Sequence, residues 1–129
     1  MILPIKRDFN FDGYNDIETR NYSLPDFNFR SYHFLYDYKT NQFVENNILD
    51  SLYNIELLPK RKEICTKYSN NEYSELKIYK WEKDTLINTK GYEEKEINGI
   101  VYLTIKRNNK TIVSDSIIKT RLIEKLNCE

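Results

Sequence analysis

The chain reads as a mainly β protein: an antiparallel, hairpin-rich domain carrying an integrin-like calcium loop and a short C-terminal helix. Three observations predict this. Tyr32, Phe34, Tyr36 and Tyr38 alternate with His33, Leu35 and Asp37, the period-2 pattern of a strand. Short turn signals, Asn98–Gly99 foremost, punctuate the second half at hairpin spacing. Between two strand-like stretches lies one Asp/Asn-rich nonapeptide, residues 8–16.

Taken in order, residues 2–6 read as a strand entering the Asp-rich loop and residues 17–22 as the strand leaving it. Residues 31–38 form the aromatic strand, and its stripe is expected to be core. Residues 37–42 turn the chain into a return strand at Phe43 and Val44. Ile48, Leu49, Leu52 and Tyr53 fall on helical spacing and predict one or two helical turns over 46–53. Strands follow at 56–58 and 62–68, broken by Pro59, then at 72–81, 85–96 and 100–107. The triplet 108–110 turns the chain into residues 111–113. Ile117, Ile118, Arg121, Leu122 and Leu126 then predict a helix over 114–126, with Ser114 or Asp115 as its cap. The simplest architecture is one antiparallel sheet of about seven to nine strands.

At 129 residues the chain is expected to be a single domain, 1–129, able to bury a core of its own. Lys+Arg and Asp+Glu are each 20, so no net field draws it to nucleic acid or an anionic membrane. No apolar run approaches the ~18 residues of a membrane span. The apolar stretch at 2–5 is too short for a signal peptide, which keeps the cytoplasm open as a compartment. The nonapeptide occurs once, which argues against a propeller of many such units. Cys65 and Cys128 are too few for a disulfide framework. The first expectation is a buried thiol at Cys65 and an idle thiol near the terminus; the alternative is a clamp requiring an oxidising compartment.

The strongest chemical signal is Asp8-Phe9-Asn10-Phe11-Asp12-Gly13-Tyr14-Asn15-Asp16. Oxygen-bearing side chains occupy positions one, three, five and nine, and glycine occupies position six, where the loop must turn sharply. Calcium takes six to eight hard oxygens. Asp8, Asn10, Asp12, the Tyr14 carbonyl and Asp16 would supply about five, with water completing the shell. An EF-hand would need a bidentate Glu at position twelve, where Thr19 stands, and flanking helices instead of strands. Three carboxylates without that Glu predict a dissociation constant on the order of 10⁻⁴–10⁻³ M, or somewhat tighter. Phe9 and Phe11 are expected to anchor the loop, and the ion's role to be structural. The competing reading is an Asx-rich turn without metal.

His33 is the sole histidine and lies mid-strand with no nucleophile nearby in sequence, so it is read as a strand residue facing solvent or a satisfied neighbour. The adjacent Glu93 and Glu94 point to opposite faces of a strand and read as a solvated surface rather than as a glycosidase pair. Lys60, Arg61 and Lys62 read as surface. No catalytic constellation emerges, and the chain is expected not to be an enzyme.

The segments Asp8-Phe9-Asn10-Phe11-Asp12-Gly13-Tyr14-Asn15-Asp16-Ile17, Tyr32-His33-Phe34-Leu35-Tyr36-Asp37, Thr40-Asn41-Gln42-Phe43 and Tyr79-Lys80-Trp81 together resemble a family of bacterial envelope proteins with a DxNFDGYxD calcium loop. That family includes immunity proteins of bacterium-killing type IV secretion systems, which inhibit lysozyme-like effectors. The resemblance spans roughly residues 8–96. It implies a structural Ca²⁺ and a periplasmic or envelope location. It also implies a cognate toxin or cell-wall hydrolase as partner. Steric occlusion by a protruding loop is the physical device expected for such a contact; the polar-aromatic loops at 23–30 and 69–72 are read as exposed, and which loop makes the contact is left open. The alternative is a calcium-stabilised adhesion or envelope-structural module.

Overall fold

The computed structural model describes residues 2–21, 30–118, 121 and 128. It is mainly β and divides into two compact units, residues 1–54 and 55–129. Its strands fall into two antiparallel sheets of four and six instead of one continuous sheet.

The first unit is a four-stranded meander: β1 Ile2–Arg7, β2 Asp16–Asn21, β3 Ser31–Asp37 and β4 Gln42–Glu45, in that spatial order. β1 and β2 are the strands expected on either side of the Asp-rich loop. Their register sets Arg7 opposite Asp16 and Ile5 opposite Glu18, and β3 continues it with Glu18 opposite His33. A single helical turn, α1 Asn47–Asp50, follows β4. Asn46 caps it, its Oδ1 accepting the Leu49 N–H at 3.0 Å, and the cap's own N–H donates to the His33 carbonyl at 2.8 Å. Leu49 is thereby fully buried.

The aromatic stripe departs from expectation. Tyr32 is 58% exposed and Tyr38 56%, whereas His33 on the alternate face is 1% exposed. An antiparallel sheet needs only one covered face. Here the Asp-rich loop and α1 both reach His33, through Phe9 and Asp50. The face that alternation singled out as apolar is therefore the open one. The loop at 23–30 lies outside the described residues apart from Arg30, whose Nε donates to the Asp50 carbonyl at 3.2 Å.

The second unit is a six-stranded meander: β5 Glu56–Leu58, β6 Glu63–Ser69, β7 Tyr73–Glu82, β8 Thr85–Ile97, β9 Ile100–Arg107 and β10 Lys110–Ile118. Two-residue turns close its last two hairpins. Asn98 and Gly99 have φ of 53° and 79°, and Asn108 and Asn109 have φ of 50° and 63°, the paired left-handed conformation that matches strand twist. Residues 114–118 lie in β10, not in a helix; the rest of the expected helix lies outside the described residues except Arg121. The misreading has a physical source. β10 carries two bulges, between Thr111 and Val113 and between Val113 and Ser116, with Asp115 at φ 48°. Bulges break the strict alternation that would have marked residues 114–118 as strand, and leave Ile117 and Ile118 as an adjacent apolar pair.

Cys65 and Cys128 form a disulfide, and no cysteine among the described residues is free. This corrects the expectation of two thiols. The bridge sits in the core of Leu58, Cys65, Ile78 and Cys128, with Leu76 packed against it. Arg61 pairs with Glu63 at 3.0 Å and donates to the Cys128 carbonyl at 2.8 Å. Further along the chain, Arg121 donates to the carbonyls of Asn70 and Asn71 and to the Ser74 hydroxyl, and lies 3.8 Å from Glu94. Glu94 is fully buried, not solvated, and its Oε1 accepts the Tyr92 hydroxyl at 2.7 Å. The bridge joins residues 63 apart. On the chain-entropy account, Cys128→Ser is expected to cost about 4 kcal/mol. Urea denaturation with and without reductant checks this: the variant should match reduced wild type, and equal stability of oxidised and reduced wild type would contradict it.

Candidate functional site

The Asp-rich loop connects β1 to β2, and three of its acids fold it by accepting backbone N–H groups. Asp8 accepts from Asp12 at 3.2 Å and from Gly13 at 2.8 Å. Asp12 accepts from Tyr14 at 3.0 Å. Asp16, fully buried, accepts from Phe9 at 2.8 Å and from Tyr36 at 2.9 Å, so one carboxylate joins the start of the loop to β3. Phe11 at φ 58° and Gly13 at φ 92° supply the left-handed turns. Phe9 is fully buried, its ring edge-on to His33 at 4.9 Å, with the Arg7 guanidinium 5.0 Å from its centroid. Phe11 is only half-buried, so Phe9 is the principal anchor.

Two features of the loop suit a hard cation. Asn10 Oδ1 is buried without a hydrogen-bond partner. The Asp16 carboxyl is pushed up to about 6: burial raises it most, the Tyr36 and Phe9 N–H groups oppose this, and the charges of Asp12 and Asp8 raise it further. A divalent ion would relieve both the orphaned oxygen and the crowded acids. The donors are right in type but not gathered in space: among the described residues, no three His, Cys, Asp or Glu side chains converge as a metal cluster. Tyr14, expected to offer its carbonyl, lies at the tip with its side chain 42% exposed.

Beneath the loop lies a charged network that sequence reasoning missed. Glu18, 1% exposed, accepts from Arg20 Nε at 2.7 Å and Arg7 Nη2 at 3.1 Å, and faces His33 Nε2 at 2.9 Å. The other ring nitrogen of His33 is 3.2 Å from Asp50 Oδ1, which also accepts the His33 N–H at 2.6 Å. Burial opposes the charge of Glu18, but the His33 hydrogen bond, Arg20 and Arg7 outweigh it and hold the carboxyl at about 2, below its ordinary 4.5. The Asp50 carboxyl, hydrogen-bonded to Glu45, pushes the Glu45 carboxyl above the usual range. The sequence held a partial signal: Glu18 and His33 are polar residues within strand patterns. Only the register shows that they face each other.

On the open side of the sheet, Tyr14 stacks on Tyr38 at 5.3 Å, with 13° between the rings. Tyr14 also meets Tyr36 at 5.5 Å, and Tyr36 meets Phe43 at 5.3 Å. Phe43 is 48% exposed.

No protein-family model matches the chain, and no curated protein matches it. Among solved structures, it is similar to one described as a Xanthomonas type IV secretion system related protein, with a TM-score of 0.63 at 14% identity. The match covers 88% of this chain and 58% of the other, so the chain spans little more than half the length of that protein. The likeness is one of fold.

Because Glu18 is held below its ordinary value, it adds stability above about pH 4.5, lost as the pH falls through about 2. Glu18→Gln is therefore expected to cost about 3 kcal/mol at pH 7, as for breaking a buried ion pair. The difference from wild type should shrink towards zero near pH 2. Denaturant titrations at the two pH values check this; an equal deficit at both would contradict it.

Proposed function

We propose that this chain is a protein-binding domain of the bacterial envelope that neutralises a toxin or peptidoglycan hydrolase by steric occlusion, with a structural calcium ion in the loop 8–16. The observation that carries the reading is the fold shared with a type IV secretion system related protein, on a chain whose own loop presents the Asp-x-Asn-x-Asp-Gly-x-x-Asp donor pattern. The disulfide supports an oxidising compartment such as the periplasm. His33 supports binding over catalysis, because both its ring nitrogens face interior carboxylates and none is offered to a substrate.

Asp8, Asn10, Asp12, Asp16 and the Tyr14 carbonyl would hold the ion. When bound, calcium would supply positive charge where Asp8 and Asp12 now raise the Asp16 carboxyl, and so stiffen the connection from β1 to β3. The contact with the partner falls to other residues.

With about 10 mM calcium, wild-type protein is expected to gain about 1–3 kcal/mol by mass action at the affinity the loop predicts. Asp12→Ala should lose most of that gain. Thermal unfolding in calcium and in chelator measures both, and an unchanged wild-type midpoint would rule out a structural ion. For the partner, a cognate peptidoglycan hydrolase mixed with the chain should lose activity at a one-to-one ratio without consuming the inhibitor. Full hydrolysis in the presence of excess chain, assayed by turbidity, would defeat the inhibitor reading and leave the adhesion-module alternative.

A further inference from the structure

His33 is the sole histidine of the chain, it is 1% exposed, and each of its ring nitrogens faces a carboxylate oxygen. Nε2 lies 2.9 Å from Glu18 Oε2, and Nδ1 lies 3.2 Å from Asp50 Oδ1. A neutral imidazole carries one N–H and one lone pair, whichever tautomer it adopts. The nitrogen without the proton would turn its lone pair on an anionic oxygen in the interior, where water screens little. An imidazolium has two N–H groups and satisfies both oxygens.

The charged groups packed around the ring leave these two contacts to His33. Arg7 of β1 and Arg20 of β2 both engage the other oxygen of Glu18, Oε1. Glu45 at the end of β4 shares a hydrogen bond with Asp50, and it is the Glu45 carboxyl that is pushed up, so the proton of that pair belongs to Glu45 and Asp50 remains an acceptor. Asp50 also accepts the His33 main-chain N–H at 2.6 Å. Arg30 donates to the main-chain carbonyl of Asp50, not to its carboxylate. Phe9, edge-on to the ring at 4.9 Å, is uncharged.

We propose that His33 is held as an imidazolium between Glu18 and Asp50 and acts as a pH-sensitive latch on the first unit. The latch ties β2 through Glu18, β3 through His33 itself, and α1 through Asp50, the residue that ends it. It also carries the ring on which Phe9 of the Asp-rich loop is seated. The folded chain then keeps a proton that an unfolded chain gives up near about pH 6.5. The latch's contribution is therefore present in full below that pH and is lost as the pH rises above it. This sign is opposite to that of Glu18, whose contribution is lost at the acid end. The proton leaves from Nδ1, the longer contact, so α1 is the element that loosens in alkali.

The test follows the two ring nitrogens of His33 by nitrogen NMR on the isotopically labelled full chain, where a sole histidine needs no assignment. At about pH 7, where most of a free histidine is neutral, both nitrogens should show the imidazolium shift. Asp50→Asn keeps an acceptor for the His33 main-chain N–H but removes the charge facing Nδ1, so in that variant Nδ1 should show the lone-pair shift at the same pH. A packing role alone would leave the ring nitrogens unchanged. Thermal unfolding reads the latch. Wild type should melt above Asp50→Asn at about pH 6, and the gap between them should close by at least about half towards about pH 9. A lone-pair shift at either nitrogen of wild type at about pH 7 would overturn the imidazolium. Two protonated nitrogens with a gap that stays constant or widens in alkali would overturn the latch. If Asp50→Asn does not fold, the wild-type nitrogen shifts decide alone, through a titration in which the His33 main-chain N–H and α1 resonances must move together with the loss of the Nδ1 proton; resonances that stay in place would overturn the latch equally.

Discussion

The first unit is organised around the carboxylate of Asp16. It opens β2, is fully buried, and divides its two oxygens between the Phe9 N–H at the start of the loop and the Tyr36 N–H in β3. Those two bonds seat Phe9 over His33 and hold the loop against the sheet. The same placement has an electrostatic cost, since the carboxyl is buried and Asp8 and Asp12 stand nearby. A loop that closes on its own acids carries a charge that a divalent cation would relieve. This is why a calcium donor pattern and an Asx-turn fold coexist in nine residues.

The two faces of that sheet carry opposite chemistries, and the order in which they are covered explains much of the unit. The covered face holds Glu18, His33, Arg7 and Arg20, polar residues joined to one another through the Glu18 carboxylate. The open face holds the aromatic rings. A buried ionic network of this kind adds less to net stability than to uniqueness, since the one strand register that satisfies Glu18 sets it opposite His33. We take it as the device that fixes register in a sheet whose aromatic face would otherwise pair in several ways.

Much of the architecture was legible in the sequence because turn chemistry is local. Asn98–Gly99, the Asn108–Asn109 pair and Pro59 mark the ends of strands where the structure has them, and the helical spacing within 46–53 marks the turn α1. What was not legible depended on partners far along the chain. Alternation shows that Tyr32, Phe34, Tyr36 and Tyr38 share a face, but not that the loop and α1 cover the other one. The Glu18–His33–Asp50 network required the register of two strands and the placement of α1. The bridge from Cys65 to Cys128 required the C-terminal cysteine to reach β6 over 63 residues. In β10, two bulges hid a strand behind helical spacing. The donor pattern at 8–16 was legible in type, and the structure adds what sequence could not: an orphaned Asn10 oxygen and a carboxyl raised by its neighbours.

Whether the loop takes up an ion is decided by isothermal titration of chelator-stripped protein with calcium. One equivalent should bind with a dissociation constant on the order of 10⁻⁴–10⁻³ M, and Asp16→Ala should abolish the binding. Absence of heat up to about ten times that concentration, in protein that remains folded, would contradict the calcium site and leave the loop as a turn closed by its own acids.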